Sequence, residues 1–192
     1  MKKQLKEWGI IIGVFSLLYL TGLHTEVAGF LQRVILSTGL IEAKEFPPSK
    51  QQIASYDFYL KDEKDQLISF EKFRGKMVFL NFWATWCPPC IAEMPDIHDL
   101  YLKVGTEDIV FVMISQDENF EKAKNFIERK EYTFPIYQLA SALPDVYRSQ
   151  SIPTTFVISP TGKILTKRVG MAKYDTETFR NLLYQNSAKV QL

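Results

Sequence analysis

A continuous apolar strand that runs straight into a dithiol constrains this chain more than anything else in it. Met77-Val78-Phe79-Leu80-Asn81-Phe82 is apolar on both of its alternating faces except at Asn81, as a strand covered on both sides must be. Trp86-Cys87-Pro88-Pro89-Cys90 follows, and Ile91 to Leu102 then reads as a helix. Cys87 and Cys90 are the only cysteines. Residues i and i+3 share a helix face, so the two sulfurs can meet across one turn and close a disulfide. Cys87 falls just ahead of the first turn, where free N–H groups and the helix dipole favour a thiolate. Pro88 suits the first helical position, because its missing N–H has no partner there to lose.

Three plainer uses of the pair fit less well. A structural zinc site takes about four ligands, and only His24 and His98 remain besides acidic residues. His98 is eight residues past Cys90, roughly 12 Å along a helix. A structural disulfide closing so short a loop restrains the unfolded chain little. Inert core cysteines have no reason to flank two prolines at a helix start. Redox exchange is the reading that uses the whole pattern.

Phe79-Leu80-Asn81-Phe82-Trp83-Ala84-Thr85-Trp86-Cys87-Pro88-Pro89-Cys90, with Glu93-Met94-Pro95 behind it, resembles the TlpA/ResA-like branch of the thioredoxin superfamily. The resemblance runs from about Ser55 to the C-terminus. It implies a thioredoxin-like α/β fold: a mixed sheet with helices on both faces, an N-terminal β-hairpin and an inserted helix. It also implies thiol–disulfide oxidoreductase activity through a Cys87–Cys90 redox disulfide, with no other cofactor and no metal.

The N-terminus bears on location. Lys2, Lys3 and Lys6 precede Trp8 to Leu23, and no charged side chain occurs between Glu7 and Glu26. Eighteen helical residues reach roughly 27 Å, near the hydrocarbon thickness of a bilayer. A single transmembrane helix within residues 1–25 is expected, its lysines inside and the rest of the chain outside a bacterial cytoplasmic membrane. A cleaved signal peptide has the same layout, with Val27-Ala28-Gly29 as a candidate site, but the apolar stretch is long for one. Residues 26–52 are read as an amphipathic segment and linker. Val27, Phe30, Leu31, Val34, Ile35 and Ile41 recur at helical spacing, and Pro47-Pro48 marks the linker. A spacer fits this stretch better than a membrane-docked donor site.

Residues 53–192 suffice for one compact domain. Only four of the 23 basic residues and three of the 22 acidic ones lie before residue 43, so this domain is neutral. A neutral domain offers no basic stripe for nucleic acid. Within it, Tyr56 to Leu60 and Gln66 to Ser69 read as a hairpin, and Ile109 to Ile114 as a second buried strand. Phe120, Ala123, Phe126 and Ile127 mark a helix that Asp117 or Asn119 can cap. Thr155 to Ser159 and Ile164 to Val169 flank a Pro160-Thr161-Gly162-Lys163 turn, and Thr176 to Tyr184 is a closing helix.

Each candidate site residue has a chemical reason. Cys87 is the expected nucleophile on a substrate disulfide, and Cys90, one turn inside, resolves the mixed disulfide. Pro88 and Pro89 cannot donate N–H bonds to the Cys87 sulfur, and no His or Lys lies between the cysteines. A less stabilised thiolate favours a reductant or isomerase over an oxidant. Glu93 is one turn beyond Cys90; spacing alone allows a proton carrier or a solvated helix residue, and the resemblance implies the carrier. Asn81 departs from general thioredoxins, which carry a buried Asp at that strand position, and an amide cannot shuttle a proton. Ile152-Pro153 resembles the family's cis-proline loop, which would present the Ile152 backbone to a substrate peptide. Trp86 is either a flat apolar contact beside the sulfurs or a core residue.

The resemblance implies disulfide-containing exported proteins as partners, apocytochrome c among them, with a membrane thiol-transfer protein as electron donor. Two other functions compete. A peroxiredoxin-like peroxidase needs Pro-x-x-x-Thr-x-x-Cys, and Leu80 and Ala84 stand where that proline and threonine belong. A copper-delivery module on this fold uses Cys-x-x-x-Cys and a distant His.

Overall fold

The computed structural model describes residues 2–20, 29, 32, 34 and 52–187. Helix α1 spans Lys2–Leu20. Among the described residues no helix is long and apolar enough to cross a membrane. The expected span is therefore not met within them. The physical reason is local: α1 carries Lys2, Lys3, Lys6 and Glu7 in its first two turns, and the apolar run Trp8 to Leu23 passes beyond Leu20, outside the described residues. Most of the 26–52 segment and linker also lies outside them.

The domain is built on one seven-stranded sheet: β1 Tyr59–Lys61, β2 Leu67–Ser69, β3 Met77–Trp83, β4 Ile109–Ser115, β5 Ile136–Leu139, β6 Thr154–Ile158 and β7 Ile164–Val169. Their spatial order is β2-β1-β5-β4-β3-β6-β7. β3 pairs parallel with β4 and antiparallel with β6, and β4 pairs parallel with β5. The helices are α2 Pro88–Val104, α3 Phe120–Arg129 and α4 Glu177–Ser187. Asn119 caps α3, its side chain accepting from the Glu121 N–H.

One strand escapes the sequence reading, and one expectation needs correction. Strand β5 was not read from the sequence; four residues with polar Gln138 near its end give too short a pattern. Helix α3 lies in the crossover between the parallel strands β4 and β5. The expectation of helices on both faces is corrected in kind: the three α-helices of the domain all lie on one face, and the other carries only short 3-10 helices. Side chains of α2, α3 and α4 join one apolar cluster with Met77, Phe79, Trp83, Phe111 and Met113. The opposite cluster holds Val78, Leu80, Phe82, Val112, Ile114 and Phe156. It is covered by Tyr56, Phe58 and two short 3-10 helices, Phe70–Phe73 and Asp145–Tyr147. Handedness explains this. β3, β4 and β5 step across the sheet in one direction, so two right-handed crossovers place α2 and α3 on the same face. Phe58, Phe70 and Tyr147 supply the other face with stacked and tilted rings.

β3 is buried along its whole length. It delivers the chain at its C-terminal end to the Cys-x-x-Cys turn, between β4 and β6. That central position lets neighbouring strands supply groups to the site from both sides.

Candidate functional site

Cys87 and Cys90 are joined as a disulfide across the first turn of α2, with Cα atoms 5.3 Å apart. Cys87 is the N-cap residue of this helix. Its extended backbone (φ −101°, ψ 102°) turns the sulfur back to accept the Cys90 N–H at 3.3 Å. A sulfur thus takes one of the free N–H groups of the helix start, with Pro88 and Pro89 at the next two positions. Both sulfur residues are largely covered: Cys87 is 4% exposed and Cys90 0%. The expected contrast in exposure is small, although its direction favours Cys87. Gly29 lies against the same turn, where a Cβ would meet Ile91 Cγ2 at 3.2 Å and the Pro88 carbonyl oxygen at 3.3 Å.

The Ile152–Pro153 bond is cis. The Ile152 carbonyl oxygen is 3.8 Å from Cys87 Sγ, so the loop before β6 stands directly over the disulfide. The Pro153 carbonyl accepts the Gly170 N–H at 2.9 Å, tying the loop to the end of β7. Trp86 is 58% exposed, so its ring is at the rim and not in the core. Cys87, Ile152 and Pro153 are therefore brought together, with Trp86 next to Cys87 in the chain and exposed, and Glu93 buried one turn further along α2.

Glu93 is not a solvated helix residue. It has no exposed surface and faces the sheet one turn along α2 from Cys90. Its Oε1 accepts from Asn81 Nδ2 at 3.0 Å, and its Oε2 from the Ala172 N–H at 3.2 Å. Burial pushes its pKa up to about 8; the Asn81 amide and Ala172 N–H pull it down, Asp96 adds repulsion and Arg168 attraction. A carboxyl poised near neutrality can take and return a proton.

Beneath Glu93 is a polar set that the sequence did not disclose. Asn81 Nδ2 also donates to Thr155 Oγ1 at 2.8 Å, and the Tyr174 hydroxyl donates to the same oxygen at 2.7 Å. Burial, and next the Glu93 charge, raise the Tyr174 pKa well above its usual value. Asp96, a turn beyond Glu93, accepts from the Tyr174 and Asp175 N–H groups, and burial raises its pKa. Glu93 and Asp96 therefore hold the 172–175 segment along one face of α2. Asn81 alone carried a readable signal, as the one polar residue in an apolar strand. Thr155, Ala172 and Tyr174 had none.

A second buried carboxylate lies on the β4 side. Asp117 Oδ2 accepts from the Thr85 N–H at 3.0 Å and Ser115 Oγ at 2.9 Å, while Oδ1 accepts from Thr85 Oγ1 at 2.6 Å. Its side chain ties down the turn leading to Cys87 and leaves the α3 cap to Asn119. His98 lies beside Thr133, 3.1 Å from its hydroxyl, away from the sulfurs. Among the described residues no cluster of His, Cys, Asp and Glu could hold a metal ion.

Comparison with known proteins agrees with this geometry. Residues 52–167 match the AhpC/TSA family. A thiol-disulfide oxidoreductase ResA from Bacillus anthracis is 31% identical over 169 residues, covering 86% of this chain and 91% of the relative. ResA from Oceanobacillus iheyensis is 39% identical over 116 residues, covering 58% of this chain and 60% of the relative. Three further ResA relatives are matched over 66% of their length, so the chain spans less than two thirds of four of the relatives it matches. Among solved structures, a thioredoxin-family thiol:disulfide interchange protein from Chlorobium tepidum aligns with a TM-score of 0.58 and 26% identity, covering 74% of this chain and 100% of that one. StoA from Bacillus subtilis aligns with a TM-score of 0.51 and 28% identity, over 60% of this chain and 89% of that one. With its sheet order, its cis-proline loop and its dithiol at a helix start, this chain belongs to the AhpC/TSA family of thioredoxin-like proteins, among the ResA-like members.

Proposed function

We propose that this chain is a thiol–disulfide oxidoreductase that reduces protein disulfides outside the cytoplasmic membrane. The observation that carries the reading is the Cys87–Cys90 pair at the start of α2, roofed by the Ile152 carbonyl and floored by buried Glu93. In the reduced protein, the Cys87 thiolate attacks one sulfur of a substrate disulfide. That S–S bond breaks, a Cys87–substrate disulfide forms, and the departing substrate thiolate takes a proton from water. Cys90 then gives its proton to Glu93 and attacks the Cys87 sulfur. The second substrate thiolate leaves, and the protein is left as its Cys87–Cys90 disulfide. One substrate disulfide has been reduced and one protein dithiol oxidised. The Ile152 and Pro153 backbone and the exposed Trp86 ring are the substrate-binding elements, and the site needs no further cofactor.

Anchoring by the apolar run Trp8 to Leu23, with Lys2, Lys3 and Lys6 inside, places the domain on the outer side. Disulfide-bearing exported proteins then become the substrate class, apocytochrome c among them, with a membrane thiol-transfer protein restoring the dithiol. The peroxidase alternative gains nothing from the site, because Leu80 and Ala84 occupy the positions its motif reserves for Pro and Thr.

Cys90→Ser tests the division of labour between the sulfurs. It should stall after the first step and accumulate mixed disulfides, visible by non-reducing electrophoresis and nameable by mass spectrometry. Cys87→Ser should accumulate far fewer. Equal trapping by both, or none by either, overturns the mechanism. Adducts carrying a Cys-x-x-Cys-His haem-attachment peptide point to cytochrome c maturation, and diverse exported proteins point to general reduction.

A further inference from the structure

The floor of the site contains a buried polar atom with no partner among the described residues. Among the described residues Asn81 Oδ1 is buried without a hydrogen-bond partner, although Asn81 Nδ2, on the same amide, uses both of its N–H groups on Glu93 and Thr155. A buried acceptor left empty costs about 1–3 kcal/mol, and such orphans are uncommon enough to need a reason. The arrangement seen suits an ionised Glu93, whose Oε1 can only accept. It does not suit a protonated Glu93, because a carboxylic acid has an O–H that must find an acceptor, and Nδ2 offers none.

The two ends of a primary amide are nearly alike in size, so a half-turn about its terminal bond exchanges oxygen and nitrogen without moving a neighbour. We propose that the Asn81 side-chain amide turns over each time Glu93 gains or loses its proton, donating to the carboxylate and accepting from the carboxylic acid. After the turn, the oxygen sits at the former nitrogen position, 3.0 Å from Glu93 Oε1 and 2.8 Å from Thr155 Oγ1. It accepts the Glu93 O–H there. Thr155 fits both arrangements: its hydroxyl accepts from Nδ2 in one and donates to Oδ1 in the other, while it continues to accept from Tyr174. The unpaired end of the amide passes from oxygen to nitrogen.

Asn81 is thus a positioning residue that lets a carboxyl with no access to water change its charge without water entering. The other groups around Glu93 are Asp96 on its own helix, Arg168 on β7, and Tyr174 with the Ala172 N–H beyond β7. Asp96 is occupied with the Tyr174 and Asp175 N–H groups, and none of the others can exchange donor for acceptor as an amide does. The functional weight of the turn rests on Glu93 being the proton carrier; the turn itself is measurable separately.

The test uses the full-length chain in detergent micelles with Cys87–Cys90 oxidised, so that no thiol titrates. Carbon NMR follows the Glu93 carboxyl through about pH 8, and nitrogen–proton NMR follows the Asn81 side-chain amide. Above the Glu93 transition, both amide protons should be shifted downfield and protected from solvent. Below it, both should lose that shift and exchange roughly tenfold faster, as expected for lost hydrogen bonds. In Glu93→Gln the Asn81 signals should not respond to pH. Asn81 signals that stay constant while Glu93 titrates overturn the proposal, as does a pH response that survives in Glu93→Gln. Disulfide-exchange rates of Glu93→Gln test the proton-carrier reading alone: an unchanged rate removes that reading and leaves the amide measurement standing.

Discussion

Two buried carboxylates flank the dithiol, and they are built for different work. Asp117, on the β4 side, accepts three hydrogen bonds, two of them from Thr85 in the turn before Cys87. Glu93, on the β6 and β7 side, is more deeply buried yet accepts only two, from Asn81 and Ala172. Each donor compensates part of the cost of taking a carboxylate out of water. With few donors and complete burial, Glu93 holds a proton up to about pH 8. The two acids differ in what holds them: three donors tie Asp117 to the turn before Cys87, whereas at Glu93 burial outweighs the two donors and leaves a carboxyl that can exchange a proton.

The largest effect that could break this contrast is in stability against pH. The Glu93 pKa is raised from 4.5 in the unfolded chain to about 8 in the fold, so between those values the folded state holds the extra proton. Stability should therefore fall as pH rises from about 4.5 to about 8 and change no further above that. The upper bound on the fall is roughly 5 kcal/mol. Denaturant midpoints of the wild type should show it, and Glu93→Gln should flatten it. An equally steep fall in Glu93→Gln would remove Glu93 from the account.

Rate comes next. Glu93→Gln keeps the shape and cannot carry the proton, so disulfide exchange should slow by roughly 10² or more and lose its pH limb near 8. Stopped-flow exchange with a model disulfide measures both. An unchanged rate and profile would make Glu93 a structural group like Asp117.

Asp117→Asn sharpens the contrast from the other side. It sets an amide N–H2 among the Thr85 N–H and two hydroxyls, which should cost about 1–3 kcal/mol of stability. The pH limb of exchange near 8 should remain. Loss of that limb in Asp117→Asn would mean that the two sides of the site share one titration.

Tyr174→Phe should have the smallest effect. It removes one hydrogen bond to Thr155 and should cost about 1 kcal/mol, with exchange slowed less than about tenfold. A collapse of activity in this variant would place the Tyr174 hydroxyl in the proton path itself.

The legible parts of this protein are those whose physics is local. The strand from Met77, the capped turn at Cys87, the Cys87–Cys90 pairing, the 120–129 helix and the hairpin around Gly162 all follow from periodicity, helix-end chemistry and turn residues within a few positions. Spacing set Glu93 one turn beyond Cys90 and left open whether its carboxyl is solvated or buried; the family resemblance alone favoured a proton carrier. Strand β5 was too short to show a pattern. The single helical face was set by crossover handedness, a property of the whole sheet.

By itself, then, the sequence determined the dithiol, its helix and the family resemblance, because residues three apart on one helix must meet wherever that helix lies. Only the tertiary structure decided that Glu93 is dry, that Asn81 and Ala172 are its hydrogen-bond donors among the described residues, and that Asp117 serves Thr85 and not a helix cap. Those partners lie 12, 79 and 32 residues away along the chain. Desolvation and hydrogen bonding between such distant residues arise only when β3, β4, β6 and α2 close around the site.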